Sequence, residues 1–561
     1  HFGFDGRRTL STVGGFGASN GSYGYSSFER FLRDLPPDVQ SQRAFNASNF
    51  NGNNWSLFGY INDRFVAAPG VSIDLGLGYQ YTTLPRSLRN QAFNNAASVP
   101  GVLEFIEPEA QQWNWNPKVG VAISPGILRG ATIRGGFGIT RDAIQNNFYF
   151  LPTAPQLGTV AYGDLGSASP GFLAGGGLAA PAGLGSSLTP AQARAQTTFY
   201  AADQRLPYSM QWNAGLQQEI WRGIVLEAKY LGARTLDIPV QTRLNSIAGV
   251  SVERSLPVYY LVPGFDTLDL LPVSYESIRL GQANPLAQYG FTSPITAFVN
   301  DGQSTYHALG LEARTRFAGG FQMLGSYTWS HLIDNVAYGT VQGTANRSGD
   351  RADSAFDRRQ RAVISGLFEP AAMFPANMSF VRNVVANFAI GGTFTYQTPG
   401  RFTPLAGFDA NFDGDGLSDR AIVNGNAAGS AGTGTTGLVN RSGQLVGYVA
   451  NDPNARYVRT PSGAFASGSR NTLSLGQINN FDVFATKRFS YRERFGVEVR
   501  GDAYNIFNHA QYTTDPITDL YGTSPATMMS MLIPGTTNFN NFSNLLSSRP
   551  RVLQVALRVT F

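Results

Sequence analysis

The last nine residues of the chain alternate without a break between two kinds of side chain. Leu553, Val555, Leu557, Val559 and Phe561 take the odd positions; Gln554, Ala556, Arg558 and Thr560 take the even ones. Successive residues of a β-strand point to opposite faces, so this tail reads as a strand with one apolar and one polar face. One such strand decides little, but the pattern recurs along the whole chain. Val71, Ile73, Leu75, Leu77, Tyr79 and Tyr81 alternate with Ser72, Asp74, Gly76, Gly78 and Gln80. Ile224–Tyr230, Leu309–Phe317, Phe321–Trp329 and Phe495–Val499 repeat it, with Glu, Arg, Lys and Asp on the polar side. Each run is about ten residues long, the length a tilted strand needs to cross a bilayer.

A soluble sandwich also alternates, so connection lengths must separate the two. Tight connections fall near 66–70, 124–129, 221–223, 318–320 and 491–494. Between them lie long stretches at about 10–53, 83–116, 142–207, 235–303, 333–358, 399–478 and 508–550. Short turns on one side and long loops on the other are the plan of an outer-membrane barrel, with the turns in the periplasm. If Phe561 ends at the periplasm, every short turn falls on that side, and this aromatic terminus is the expected barrel-assembly signal.

The expected fold is therefore all-β, a transmembrane antiparallel β-barrel of outer-membrane type. About fourteen strands are expected in this chain, at 2–9, 54–65, 71–82, 117–124, 130–141, 208–221, 224–234, 304–317, 320–332, 359–369, 382–398, 479–490, 494–507 and 551–561. Trp55, Trp212, Trp221, Trp329, Tyr327 and Tyr504 fall near strand ends, where interfacial belts favour amphipathic rings. The competing reading of these rings is ordinary core packing. Ser27–Leu35 reads as a short helix in the first long loop.

Composition agrees. Charged residues make up 14% of the 561, against about 25% in soluble proteins. Aromatics reach 12% and glycines number 64. There is no cysteine, which removes disulfides, thiolate metal sites and cysteine nucleophiles. A net charge of +5 without a Lys/Arg cluster gives a nucleic-acid partner no support. No apolar run is long enough for a transmembrane helix. The chain opens on His1 without a signal peptide, so a processed or trimmed start is expected.

A set of short segments, in order along nearly the whole chain, resembles the C-terminal half of Oar-like TonB-dependent receptors. These are Phe2–Arg8 (FGFDGRR), Trp55–Phe65 (WSLFGYINDRF), Asn114–Pro125 (NWNPKVGVAISP), Ile133–Asp142 (IRGGFGITRD), Met210–Glu219 (MQWNAGLQQE) and Ser304–Leu309 (STYHAL). Gly325–Asn335 (GSYTWSHLIDN), Asp357–Arg361 (DRRQR), Phe481–Arg488 (FDVFATKR), Arg500–His509 (RGDAYNIFNH) and the terminal strand complete it. The resemblance implies a barrel of about 22 strands around an N-terminal plug. It also implies a TonB complex as partner, reached through an N-terminal part. Neither plug nor TonB box is found here. The expectation is a C-terminal barrel portion, partnered by an upstream barrel or plug fragment or by other outer-membrane proteins, and set in lipid and lipopolysaccharide. Fourteen is itself an allowed even number, so a smaller self-contained barrel is the alternative.

One loop has metal-ligand character. Asp409, Asn411, Asp413, Asp415 and Asp419 place oxygen side chains at close spacing among glycines, as calcium loops do. Position twelve from Asp409 is Arg420, so the spacing resembles thrombospondin-type calcium repeats more than a full EF-hand. The plain alternative is a solvated ladder of Asx turns. No other cofactor is expected. His307 and His331 fall near the outer ends of adjacent expected strands, more in keeping with structural positions than with a metal site. The glycine runs at Gly14–Gly17 and Gly175–Gly177 lack the lysine and frame of a phosphate loop. Asp357, Arg358, Arg359 and Arg361 read as a salt-bridge network at the barrel rim, with contact to substrate or lipopolysaccharide phosphate as the alternative.

No catalytic constellation is present, so an enzyme is not expected. The leading function is energised uptake through an outer-membrane barrel of TonB-dependent type. A passive fourteen-stranded pore and a structural or adhesive barrel presenting long loops are the alternatives. Loop composition fits peptide, glycan and siderophore equally.

Overall fold

The structure is a computed structural model. It describes residues 1–13, 21–45, 50–84, 95–128, 130–142, 159–162, 169–179, 189–195, 198–221, 223–247, 250–260, 275, 278, 284–315, 320–336, 347–373, 384–413, 419–474, 476–491, 495–511, 531–541 and 550–561.

Fourteen strands follow one another in chain order as a single antiparallel meander. They are β1 (Phe2–Val13), β2 (Phe50–Ala68), β3 (Val71–Thr82), β4 (Trp115–Ile123), β5 (Ala131–Arg141), β6 (Tyr208–Trp221) and β7 (Ile224–Leu244). Then come β8 (Ile295–Thr315), β9 (Phe321–Asp334), β10 (Gln360–Phe368), β11 (Phe388–Gln397), β12 (Ile478–Tyr491), β13 (Phe495–Tyr504) and β14 (Val552–Thr560). Two short segments, Thr198–Tyr200 and Ala352–Asp353, pair onto β8 and β9 and bring the sheet to sixteen strands. Each expected strand is present. Among the described residues β1 pairs only with β2 and β14 only with β13, so the sheet has two open edges.

Register turns the alternation of each strand into two continuous faces. On one face Leu77 meets Ile61, Leu75 meets Val119, Val119 meets Phe137, and Ile133 meets Leu216. Farther round, Leu309 meets Trp329, Phe394 meets Phe481, and Val499 meets Leu557. On the other face Arg64 meets Asp74, Gly215 meets Lys229, Glu312 meets Ser326, and Arg488 meets Glu498. A one-residue slip in any ladder would put charges on the apolar side, so the pattern itself pins the register.

The buried core lies mostly outside the spanning part of this sheet, although the outer ends of β7 and β8 join it through Val240, Ile295 and Phe298. The largest fully buried side chains include Phe105, Phe291, Leu256, Ile278, Leu473, Val446 and Val458, all in the long connections. Phe105 packs with Ala193 and Phe291, which joins three different loops. Leu256 and Ile278 pack with Tyr448, and Leu405 and Leu473 with Met531 and Leu532. Described residues of different loops are thus joined through separate hydrophobic clusters. A sheet with hydrocarbon on one face and water on the other has no such interior, and most of the apolar residues of its spanning part stay exposed. Val555 is 81% exposed and Trp329 53%.

Several expected boundaries are corrected. The loop expected at 235–303 is shorter, because β7 runs on to Leu244 and β8 begins at Ile295. The alternation is hidden there by irregularities in the ladder between Thr235 and Ile238 and between Ile238 and Val240. Asp237 sits there at φ 56°. The first loop is shortened likewise by β1 reaching Val13 and β2 starting at Phe50. The connection between β10 and β11 spans 369–387, longer than the other turns on its side. The helix expected at Ser27–Leu35 is α1 (Phe28–Leu32), capped by the Ser27 hydroxyl, which accepts from the Arg30 N–H at 3.3 Å. The tight turn between β2 and β3 needs its glycine. Gly70 has φ 80°, and a Cβ there would lie 2.6 Å from the Ser124 carbonyl oxygen.

Candidate functional site

The chemistry-bearing residues gather at the outer ends of β8–β11, where the long connections begin. β9 delivers His331 and Asp334, and the following loop delivers Asp350, Asp353 and Asp357. The loop after β11 delivers Arg401, Arg420 and Arg470.

Two of these arginines are buried against buried carboxylates, Arg420 on Asp350 and Arg470 on Asp334. Arg470 also donates to the carbonyls of Asp350 (2.8 Å), Val336 (2.7 Å) and Asp334 (3.0 Å). Asn471 donates to the Asp353 carbonyl at 2.7 Å. A buried charge is tolerated only when its donors and acceptors are answered, and Arg470 spreads its guanidinium over backbone and carboxylate together. The result fixes the 398–477 connection onto the 335–359 connection.

Beside it, Asp353 accepts from Arg359 (3.2 Å), bonds His331 Nε2 (2.8 Å) and lies 3.4 Å from Arg401. Partial burial alone would raise the Asp353 pKa, but the His331 bond and the two guanidinium groups outweigh it and hold the carboxyl below its usual range. Asp357 is buried, accepts from the Leu332 N–H at 2.8 Å and pairs with Arg359 at 3.3 Å. Arg358 donates to the carbonyls of Ala355 and Asp357. Asp357 and Arg359 thus join Asp353 in an ion-paired network beside the end of β9, while Arg361 stands on the polar face of β10 opposite Thr328.

His307 and His331 are direct cross-strand partners. They do not share a ligand set. His307 Nδ1 bonds the Tyr230 hydroxyl at 2.7 Å with the rings stacked, while His331 turns to Asp353.

Of the candidate calcium residues, Asp409, Asn411, Asp413 and Asp419 are described and Asp415 lies outside the described residues. Asp419 is buried. It accepts from the N–H groups of Ala410 (2.6 Å) and Asn411 (3.0 Å) and from Asn411 Nδ2 (2.9 Å). Asp413 N–H donates to Asp409 Oδ1 at 3.1 Å and to Asn411 Oδ1 at 2.9 Å. Burial, and then the nearby Asp413 charge, push the Asp419 carboxyl up to about 7. Phe412 takes φ 62° to make the turn. Among the described residues no group of three or more His, Cys, Asp or Glu is placed to hold a metal. A cavity of about 360 Å³ lies beside this loop, where Asn411 and Arg420 meet Gly349, Val250 and Phe465. Phe561 ends the chain 97% exposed, one residue beyond β14.

Sequence reasoning missed Arg420, Arg470, Asp334 and Asp350 as a set. Arg420 appears in the sequence only as the residue that spoils an EF-hand.

The chain matches the model of the outer membrane beta barrel domain over residues 1–554 and belongs to that family. It is an outer-membrane protein. No curated protein matches it. Among solved structures it is similar to the outer membrane transporter YddB of Escherichia coli, at 10% identity and TM-score 0.42, covering 93% of this chain and 49% of that one. It is also similar to the receptor FpvA of Pseudomonas aeruginosa bound to pyoverdine complexes, at 8% identity and TM-score 0.41, covering 91% and 39%. The FrpB iron transporter of Neisseria meningitidis is a third, at 11% identity and TM-score 0.40, covering 91% and 46%. The chain thus spans about half or less of the length of these structures.

Proposed function

We propose that this chain is the barrel wall of a TonB-dependent transporter of Oar-like type, which takes up a scarce solute across the outer membrane. The observation that carries the reading is a fourteen-strand, two-faced meander that, among the described residues, has an open edge at β1 and another at β14, with hydrophobic clusters that join its long connections. Open edges in hydrocarbon leave rows of unsatisfied N–H and C=O groups, so a spanning sheet must be completed. Completion to about 22 strands makes a barrel wide enough to hold a plug. The plug and the contact with the TonB complex then belong to an N-terminal part. Loops joined by such clusters suit selection of a solute at the outer surface better than an open pore. The alternatives remain a passive fourteen-stranded pore and a barrel that presents its loops for adhesion.

The test compares wild-type and deletion cells for uptake from a panel of ferric siderophores, peptides and glycans, with and without a protonophore. Uptake that needs both the gene and the membrane potential is the expected result. Gene-dependent uptake that ignores the protonophore overturns energised transport in favour of the pore.

A further inference from the structure

The membrane-facing side of the sheet is not evenly ridged. Across β6–β10 it carries a depression of about 730 Å³. Its floor is made by small residues on neighbouring strands. Ala313 lies directly opposite Gly325, and Ala228 and Ala362 flank them diagonally on the next strands. Leu226, Leu311, Met323, Tyr327 and Ile364 stand around this floor as walls. All of these positions share the parity of the apolar face. Farther up the same two strands Leu309 stands beside Trp329 and restores the bulk of the face. Two adjacent positions without bulk therefore cut a trough into it.

The trough has a definite depth. Ala228 and Leu226 lie just after the tight turn that starts β7, and Ala313 lies just before the end of β8. Met323 and Gly325 open β9. The trough thus occupies the half of the wall nearer the short turns, which is the periplasmic leaflet. Trp221, 73% exposed, and Phe321 mark the interface below it.

We propose that this trough is a binding site for one acyl chain of a glycerophospholipid in the periplasmic leaflet. The protein resides in the outer membrane, so hydrocarbon is what surrounds this face. A void beside Ala313 and Gly325 leaves its lining without partner atoms, and that loss is recovered only by something thin and apolar. A methylene chain is both. A second copy of the barrel would bring a convex wall of branched and aromatic side chains, which spans a narrow trough instead of filling it. The site depends on the face assignment alone and stands whether or not the chain transports anything.

The test fills the trough. A Cβ at Gly325 would meet only the Ala313 carbonyl oxygen and Ile364 Cγ1, both at 3.9 Å, so the backbone there leaves room for a side chain, and the filled variant is Gly325→Leu with Ala313→Leu. The protein is purified from outer membranes, stripped with detergent and re-exposed to palmitoyl-oleoyl phosphatidylethanolamine, and bound lipid is counted by native mass spectrometry. Val119→Leu, on the same face of β4, is the control. Wild type and control are expected to keep a phospholipid that the filled variant loses several-fold, with heat-modifiable migration unchanged in all three. Equal retention by the filled variant, or none by wild type, overturns the site. So does a wild-type dimer that the filling dissociates, since the occupant is then a second copy. If the double variant loses heat-modifiable migration, Ala228→Leu takes its place and is judged by the same outcomes.

Discussion

Leu557 lies directly opposite Val499 in the last ladder of the sheet, and Arg558, one residue on, lies opposite Glu498. The two pairs point to opposite sides of the wall, so neighbouring positions on β14 face different solvents. Leu557→Arg would put a cation into hydrocarbon and is expected to cost about 2–4 kcal/mol near the bilayer midplane. Ala556→Arg puts the same side chain on the polar side, opposite Arg500, and should cost much less. Refolding titrations into lipid vesicles measure both. Equal costs would reverse the assignment of faces.

The paired burial of Arg470 and Asp334 makes a second claim. Removing one member of a buried ion pair leaves the other uncompensated, typically at about 3–5 kcal/mol. Arg470→Met should therefore release the 398–477 connection, while the spanning strands keep their own hydrogen bonds. Limited proteolysis on intact cells is expected to cut the variant in this loop and leave wild type whole, with heat-modifiable migration the same in both. Loss of the folded band as well would mean that the connection stabilises the sheet, contrary to this division.

These two cases show how much was legible beforehand. The faces of β14 could be read because a strand repeats every two residues and each face meets one medium along its whole length. Arg470 and Asp334 are 136 residues apart, in loops with no period, and no local signal joins them. The same limit hid the upper parts of β7 and β8. Beyond Thr235 the ladder shifts register and Asp237 turns to positive φ, so the alternation dissolves although the pairing continues. The Asp357 network was visible as a charge cluster, but its partner Arg401 comes from the next long loop and was not.

The Asp409–Asp419 loop carries a metal prediction of its own. Asp419 is held by three N–H donors and sits close enough to Asp413 to feel its charge. Calcium outside the cell would relieve that repulsion and add order to the segment. Protease digestion in calcium is expected to spare the loop and digestion in chelator to cut it. Asp413→Ala with Asp415→Ala should abolish the difference. Identical wild-type digestion under both conditions would show that the loop is braced by its own Asx turns alone.

The open edges give the last prediction. Phe4 near the start of β1 and Val559 near the end of β14 belong to the same apolar face and lie at the same end of the wall, since β1 rises from the short-turn side and β14 returns to it. If fourteen strands close on themselves, these two edges must pair. Cα atoms on adjacent strands then come within about 4.4–6.8 Å, the range a disulfide can bridge. If the barrel is larger, the edges are separated by other strands and no bridge can form. The chain has no cysteine, so a pair can be introduced without background. Phe4→Cys is combined in turn with Leu553→Cys, Val555→Cys, Leu557→Cys, Val559→Cys and Phe561→Cys, the positions of the terminal strand that share its face. After oxidation in intact outer membranes, none of these pairs is expected to form an intramolecular bridge. Efficient intramolecular bridging in any one of them would mean that β1 and β14 are neighbours. The barrel would then have too narrow a lumen for a plug of the transporter kind, and the passive pore would become the better reading.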